Sequence, residues 1–267
     1  MRLTIKGREV PLKVFRFPGG EVQVRIEDDE RPDTHSHERT PALIDVRLKT
    51  SDDVMGLLML TDAVGRLYGP TDIDLVCPYL PYARQDRVVY PGEALAASVL
   101  CKLINAQGYR SVEVWDAHSD VSLALLDRVF HRPASDFACQ VASQQDVIVA
   151  PDQGAAKRAG ALARLIKTDL VTAEKVRCAD TGEITGTRVH SGPVGNRDFL
   201  IVDDICDGGR TFIELAKVLR PLTTGRVKLY VTHGIFSAGF DVLRPVIDQV
   251  FVANPFPDTL PDFVQAL

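Results

Sequence analysis

Residues 200–211 read LIVDDICDGGRT, an apolar run closed by two adjacent carboxylates, Asp203 and Asp204, with a third at Asp207. Ionised carboxylates at the end of a buried strand are costly unless something binds them. The vicinal hydroxyls of a ribose, or a divalent metal, would each serve. Gly208 and Gly209 then let the chain turn tightly before Arg210 and Thr211. A loop that feeds a helix start offers free N–H groups and the positive end of the helix dipole, which suits a phosphate. An acidic helix cap followed by a glycine turn is the plainer reading of the same letters, since short motifs also match by chance.

Such a site needs strands that deliver their ends to one edge, and the pattern of the chain predicts them. Short apolar runs alternate with helical periodicity nearly throughout, the signature of an α/β architecture with mostly parallel sheets. Strands are expected over 72–79, 111–120, 146–152, 199–204 and 226–234, and helices over 92–108, 154–166 and 210–222. The halves echo one another. Pro78 is followed five places on by Ala83-Arg84-Gln85, and Pro151 five places on by Ala156-Lys157-Arg158. A duplicated fold of two tandem Rossmann-like domains follows, 1–132 and 133–267, with the boundary at VFHRPASD (129–136). The acidic, proline-bearing stretch 27–41 reads as a surface excursion.

Composition narrows the function classes. The chain has 267 residues, 45% hydrophobic and 25% charged, and its 31 basic and 36 acidic residues leave a net charge of −5. That balance argues against nucleic acid or an anionic membrane as the main partner, while a local basic pocket for a small anion stays open. No apolar run reaches the ~20 residues a bilayer span needs, and the N-terminus lacks a signal-peptide core, so a cytoplasmic protein is expected. The five cysteines, Cys77, Cys101, Cys139, Cys178 and Cys206, are scattered and form no C-x-x-C pair, as reduced thiols would be.

Seven strings carry a closer likeness: FPGGEVQVRI (17–26), PYLPYARQDR (78–87), WDAHSD (115–120), APDQGAAKRA (150–159), EKVRC (174–178), IVDDICDGGRT (201–211) and VTHGIF (231–236). In that order they resemble the successive motifs of the ribose-phosphate diphosphokinase (PRPP synthetase) family. The stretch 201–211 alone resembles the ribose-phosphate motif of type I phosphoribosyltransferases. The resemblance spans nearly the whole chain, and PYARQDR is its most specific element.

The resemblance implies an ATP- and magnesium-dependent enzyme with two phosphoribosyltransferase-type domains. It would move the β,γ-diphosphoryl group of ATP onto the anomeric hydroxyl of ribose 5-phosphate. Such a transfer needs charge neutralisation and positioning more than covalent help. By position, Arg84, Gln85, Asp86 and His118 would contact ATP. His118 and Asp152 would hold magnesium, although magnesium prefers oxygen and keeps waters, so His118 is expected to act partly through water or on phosphate. Phe17 and Glu21 match adenine-side positions that in the family reach a neighbouring subunit's site, implying a homo-oligomer with a shared active site. Lys175 and Arg177 match the pair that clamps the transferring phosphates, with the Gly/Thr-rich stretch 180–188 as a closing lid. Asp203, Asp204, Asp207, Gly208, Gly209, Arg210 and Thr211 would bind the ribose phosphate. Singly these residues have plain alternatives, a capping histidine, a surface ion pair or solvated loop charges.

Three departures limit the carry-over. Gly19 stands where the family usually has Asp or Asn. The phosphate loop reads Asp-Gly-Gly-Arg-Thr, not the usual Asp-Thr-Ala-Gly-Thr, which opens space and adds a cation at Arg210. The chain is also shorter than most relatives, so segments of an allosteric phosphate or ADP site are expected to be absent or altered. The altered loop suggests a larger acceptor such as ADP-ribose as an alternative to ribose 5-phosphate. A non-catalytic regulatory homologue and a PRPP-consuming transferase are the other readings. The first sits poorly with intact Lys175, Arg177, His118 and Asp152; the second leaves PYARQDR without a task.

Overall fold

A computed structural model of the chain describes residues 1–28, 38–177 and 184–267. The chain divides into two compact units, Met1–Arg132 and Pro133–Leu267.

The N-terminal unit opens with an antiparallel ribbon, β1 (Arg2–Ile5) and β2 (Arg8–Val10). Its two-residue link, Lys6-Gly7, has φ of 49° and 81°, the paired positive values that match the twist of a hairpin. A second hairpin, β3 (Leu12–Arg16) and β4 (Val22–Ile26), stands apart as its own two-stranded sheet. Then come β5 (Thr40–Asp45), α1 (Ser51–Tyr68), β6 (Thr71–Val76), α2 (Ala96–Asn105), β7 (Ser111–Trp115), α3 (Asp120–Leu125) and β8 (Val129–Arg132). The main sheet runs β2-β1-β5-β6-β7-β8, parallel from β5 onward. Helix α1 starts at a reciprocal cap: Asp53 N–H donates to the Thr50 hydroxyl, and the Asp53 carboxylate accepts from Thr50 N–H.

The C-terminal unit holds α4 (Ser135–Ala138), β9 (Val147–Ala150), α5 (Gln153–Ile166), β10 (Leu170–Arg177), β11 (Ile184–Val189), β12 (Phe199–Cys206), α6 (Arg210–Leu219), β13 (Val227–Gly234), β14 (Gln249–Pro255) and β15 (Val264–Ala266). Its sheet runs β11-β10-β9-β12-β13-β14-β15, parallel except for β11. All four residues of β9 and all eight of β13 are buried, as strands covered on both faces must be. Near the N-terminal ends of β9, β12 and β13 the buried Lys228 ammonium lies 2.7 Å from Asp146 and 3.3 Å from Asp198.

The mostly parallel α/β architecture is as expected, and four local expectations are corrected. The helix expected from residue 92 begins at Ala96, because the Glu93 carboxylate turns back to accept from Val89 and Tyr90 N–H. The echo between halves fails locally: β9 leads straight into α5, whereas Ala83 and Arg84 lie in a turn well before α2. Within the stretch read as a lid, residues 184–188 form strand, paired antiparallel with β10; residues 180–183 lie outside the described residues. Within the stretch read as an excursion, Thr40 and Pro41 open β5, and 29–37 likewise lie outside the described residues.

Candidate functional site

In open parallel sheets ligands bind beyond the carboxyl ends of the strands. In each unit candidate residues lie at or just beyond those ends, whereas Phe17 and Glu21 stand apart on the tip of the separate β3–β4 hairpin.

In the C-terminal unit β12 delivers Asp203, half-buried, and Asp204, only 4% exposed. Asp203 Oδ1 accepts from Asp204 N–H at 2.9 Å. Helix α5 brings Arg158 against both: its Nε is 3.8 Å from Asp203 Oδ1 and its Nη2 is 3.6 Å from Asp204 Oδ1. Burial, then the charge of Asp204, pushes the Asp203 carboxyl well above the usual carboxylate range, with Arg158 pulling the other way. Two such carboxylates titrate as a pair, and a bound sugar's hydroxyls would meet them as such. The Cys206 thiol between this pair and Asp207 is pushed up to about 12, by burial first, which makes it inert rather than nucleophilic.

The turn after β12 is built for close approach. Gly209 adopts φ of 78°, and a β-carbon there would lie 3.0 Å from Leu243 Cδ2. Gly208 is exposed, and Gly209 starts α6 with Arg210 and Thr211 as its first residues. Arg210 is an exposed cation at the end of the helix that favours anions, a local conflict typical of functional positions. The segment after β13 secures this turn. Ile235 and Phe236 N–H donate to Cys206 O, and the Ser237 hydroxyl donates to Asp207 Oδ1 at 2.6 Å.

Asp152 caps α5, its Oδ1 accepting from Ala155 N–H at 3.2 Å. Lys175 and Arg177 sit on β10 opposite Thr187 and Ile184 of β11, with a register shift between Val176 and Arg177. Their side chains lie outside the described part of the structure.

In the N-terminal unit the loops after β6 and β7 meet. Arg84 and Gln85 are exposed, and Gln85 O accepts from Ala97 N–H at the start of α2. Burial raises the Asp86 carboxyl, but the neighbouring Ser119 hydroxyl, Arg87 and His118 outweigh it and hold the group below its usual range. Asp86 and His118, far apart in sequence, are therefore neighbours. Tyr82 and Asp116 flank these loops with φ of 63° and 38°, strained values for residues with side chains. The Ala117 N–H donates to His131 Nε2 at 3.2 Å, fixing the His118 loop to β8.

The tip of the second hairpin carries Phe17, 46% exposed, whose ring packs edge-on against Phe15 with centroids 5.3 Å apart. Glu21 folds over Gly19: a β-carbon at position 19 would sit 3.2 Å from Glu21 Oε2. The glycine that departs from the family pattern thus makes room for its neighbour's carboxylate.

Among the described residues no three His, Cys, Asp or Glu side chains group as a metal cage. The residues present fit magnesium in a different way. Asp152 offers a single carboxylate, and magnesium takes one or two carboxylates together with substrate phosphates and waters.

Sequence reasoning missed Arg158 and Ser237. Both lie in or beside motifs already singled out, but neither residue type advertises a partner that is 45 positions or 30 positions away in sequence.

Two mostly parallel units, one of them with an acidic pair and a glycine turn at its central strand end, define a phosphoribosyltransferase-type fold. Residues 4–108 match the N-terminal domain of ribose phosphate pyrophosphokinase, and residues 132–246 match the phosphoribosyl transferase domain. A ribose-phosphate pyrophosphokinase of Haemophilus ducreyi is 31% identical over 95% of this chain and 80% of its own length. One from Pyrococcus furiosus is 31% identical over 92% of this chain and 86% of its own, and one from Mycoplasmopsis pulmonis 30% identical over 76% and 65%. The crystal structure of phosphoribosylpyrophosphate synthetase from Mycobacterium smegmatis covers 97% of this chain and 86% of its own, with a TM-score of 0.77 at 23% identity. The chain belongs to the ribose-phosphate pyrophosphokinase family.

Proposed function

We propose that the chain transfers the β,γ-diphosphoryl group of ATP to the anomeric hydroxyl of ribose 5-phosphate, giving PRPP and AMP. The observation that carries this reading is that the chain has both halves of the family, not the transferase half alone. A PRPP-consuming transferase would have no use for the joined Asp86 and His118 loops of the N-terminal unit. The larger acceptor, ADP-ribose, is not favoured, because the curated relatives are named for ribose phosphate.

In the mechanism Asp203 and Asp204 accept from the ribose hydroxyls and orient the anomeric oxygen. The backbone of 207–211 cradles the 5-phosphate, with Asp207 holding the turn open through Ser237, Gly208 and Gly209 allowing close approach, and Thr211 offering its hydroxyl. Arg210 adds a fixed charge toward the same phosphate. Arg84, Gln85, Asp86 and His118 orient the nucleotide phosphates, and Phe17 with Glu21 faces adenine in a neighbouring subunit of a homo-oligomer. Lys175 and Arg177 neutralise charge that grows on the transferring group. Asp152 and His118, the latter through water, would hold magnesium, which offsets the polyphosphate charge when bound. No helix of the described residues is long and apolar enough to cross a membrane. We place the reaction in the cytoplasm, with small molecules rather than nucleic acid as partners.

The test is a mass-spectrometric product assay with ATP, magnesium and either ribose 5-phosphate or ADP-ribose. AMP release with ribose 5-phosphate heavier by one diphosphate is the expected result. Activity on ADP-ribose alone, or no AMP with either acceptor, overturns the reading.

A further inference from the structure

We propose that Arg158 is a positioning residue for the sugar acceptor, a two-pronged clamp from α5 that fixes how Asp203 and Asp204 face the ribose hydroxyls. The inference rests on the diphosphoryl-transfer reading and deepens it.

Neighbouring residues of a strand project to opposite faces, so the backbone of β12 by itself would splay this pair apart. The two carboxylates nevertheless lie against one another, and a cation from outside the strand is what opposes their repulsion when both are charged. Arg158 is placed to do so. Different nitrogens of its one planar fork face different carboxylates, Nε toward Asp203 at 3.8 Å and Nη2 toward Asp204 at 3.6 Å. The three side chains are 12%, 18% and 6% exposed, so the arrangement is shielded from the solvent that weakens surface ion pairs.

The geometry also assigns directions. Asp203 Oδ1 faces Arg158 and receives the Asp204 N–H, so it is committed to the protein from two sides. Asp203 keeps 18% of its side chain exposed and Asp204 6%, so a ligand reaches the pair chiefly through Asp203. Charge points the same way: Arg158 is the cation that opposes the mutual repulsion of the pair, and Cys206 beside it stays a neutral thiol. A lysine could balance charge here, but its single compact ammonium lacks the planar fork that sets two separate nitrogens toward two carboxylates.

Kinetics of the full chain with Arg158→Met, Arg158→Lys, Asp203→Asn and the Arg158→Met/Asp203→Asn double variant test this. Loss of the clamp is expected to raise the KM for ribose 5-phosphate about tenfold or more in Arg158→Met and by less in Arg158→Lys, while the KM for ATP stays within about twofold. If the arginine works through the pair, the double variant is no worse than Asp203→Asn alone. Thermal melts read acceptor binding without turnover: ribose 5-phosphate is expected to raise the Tm of the unsubstituted chain and not of Arg158→Met. Unchanged KM for ribose 5-phosphate in both single variants, equal rises for both substrates, or additive losses would overturn the proposal. Should Arg158→Met fail to fold, Arg158→Lys decides by the same KM split. A chain that binds ribose 5-phosphate in the melts yet releases no AMP fails the reaction reading and leaves the clamp standing.

Discussion

The Ser237 hydroxyl donates to Asp207 Oδ1 at 2.6 Å, while its own N–H donates to Asp207 O at 3.2 Å. One residue after β13 thus holds both the side chain and the backbone of the turn that follows β12. Ser237→Ala keeps the backbone bond and removes the other. The lost bond is exposed, worth about 0.5–1 kcal/mol. The expected outcome is a few-fold higher KM for ribose 5-phosphate with little change in Tm, checked by steady-state kinetics beside a thermal melt. A KM that does not move would show that Asp207 needs no such support.

Gly209 is required twice over, by its φ of 78° and by Leu243 Cδ2, which a β-carbon would approach to 3.0 Å. Gly208, by contrast, lies outside the left-handed region, and a β-carbon there would meet only the Ser237 hydroxyl, at 4.0 Å. Gly209→Ala is expected to lose about 1–2 kcal/mol of stability through left-handed strain alone. Gly208→Ala is expected to fold normally and to weaken ribose 5-phosphate by crowding the phosphate cradle. Denaturant melts and acceptor titrations of the two variants separate these effects; equal stabilities would refute the distinction.

Lys228 tests the fold without touching the candidate site. Its buried ammonium serves Asp146 and Asp198 at the opposite end of the strands from Asp203. Lys228→Met leaves two carboxylates short of a cation, at a cost of about 3 kcal/mol. The Asp198 carboxyl is raised by burial but held low overall by Arg226 and Lys228. A carboxyl depressed in this way stabilises the fold fully above its ordinary value of 3.8 and loses that contribution as pH falls through the folded value. The variant is therefore expected to melt earlier at neutral pH and to show a shallower fall in stability into acid, with kcat near normal at temperatures where it stays folded. Urea melts between neutral and acid pH check both statements.

The β–α alternation was legible because buried parallel strands must be apolar and their helices periodic, and β9, β12 and β13 fall where those patterns put them. Asp203, Asp204 and the glycine turn were legible because their types conflict with a buried strand end. Asp86 and His118 lie on separate loops, and the likeness to the family, not the spacing, paired them. Arg158 was invisible because a helical arginine reads as solvated until the sheet shows which strand end it overhangs. The strand character of 184–188 was hidden by Gly186, which weakens a strand pattern, and only its register with β10 reveals it.

Phe17 and Lys175 belong to different units, and the proposed mechanism assigns them to one active site built by two protomers. Phe17 stands on a hairpin tip, 46% exposed, with its ring edge-on to Phe15. Removing the ring in Phe17→Ala is expected to raise the KM for ATP with little effect on Tm, since exposed side chains contribute little to the core. Lys175→Ala is expected to lower kcat by orders of magnitude while ATP affinity stays within a few-fold, because a clamp acts on the transition state. If each site draws Phe17 from one protomer and Lys175 from another, mixing the two variants under conditions that exchange subunits restores activity in the hybrid sites that carry neither substitution. Strict additivity of the two residual activities, with hybrids confirmed by native mass spectrometry, would place both residues in the same protomer's site.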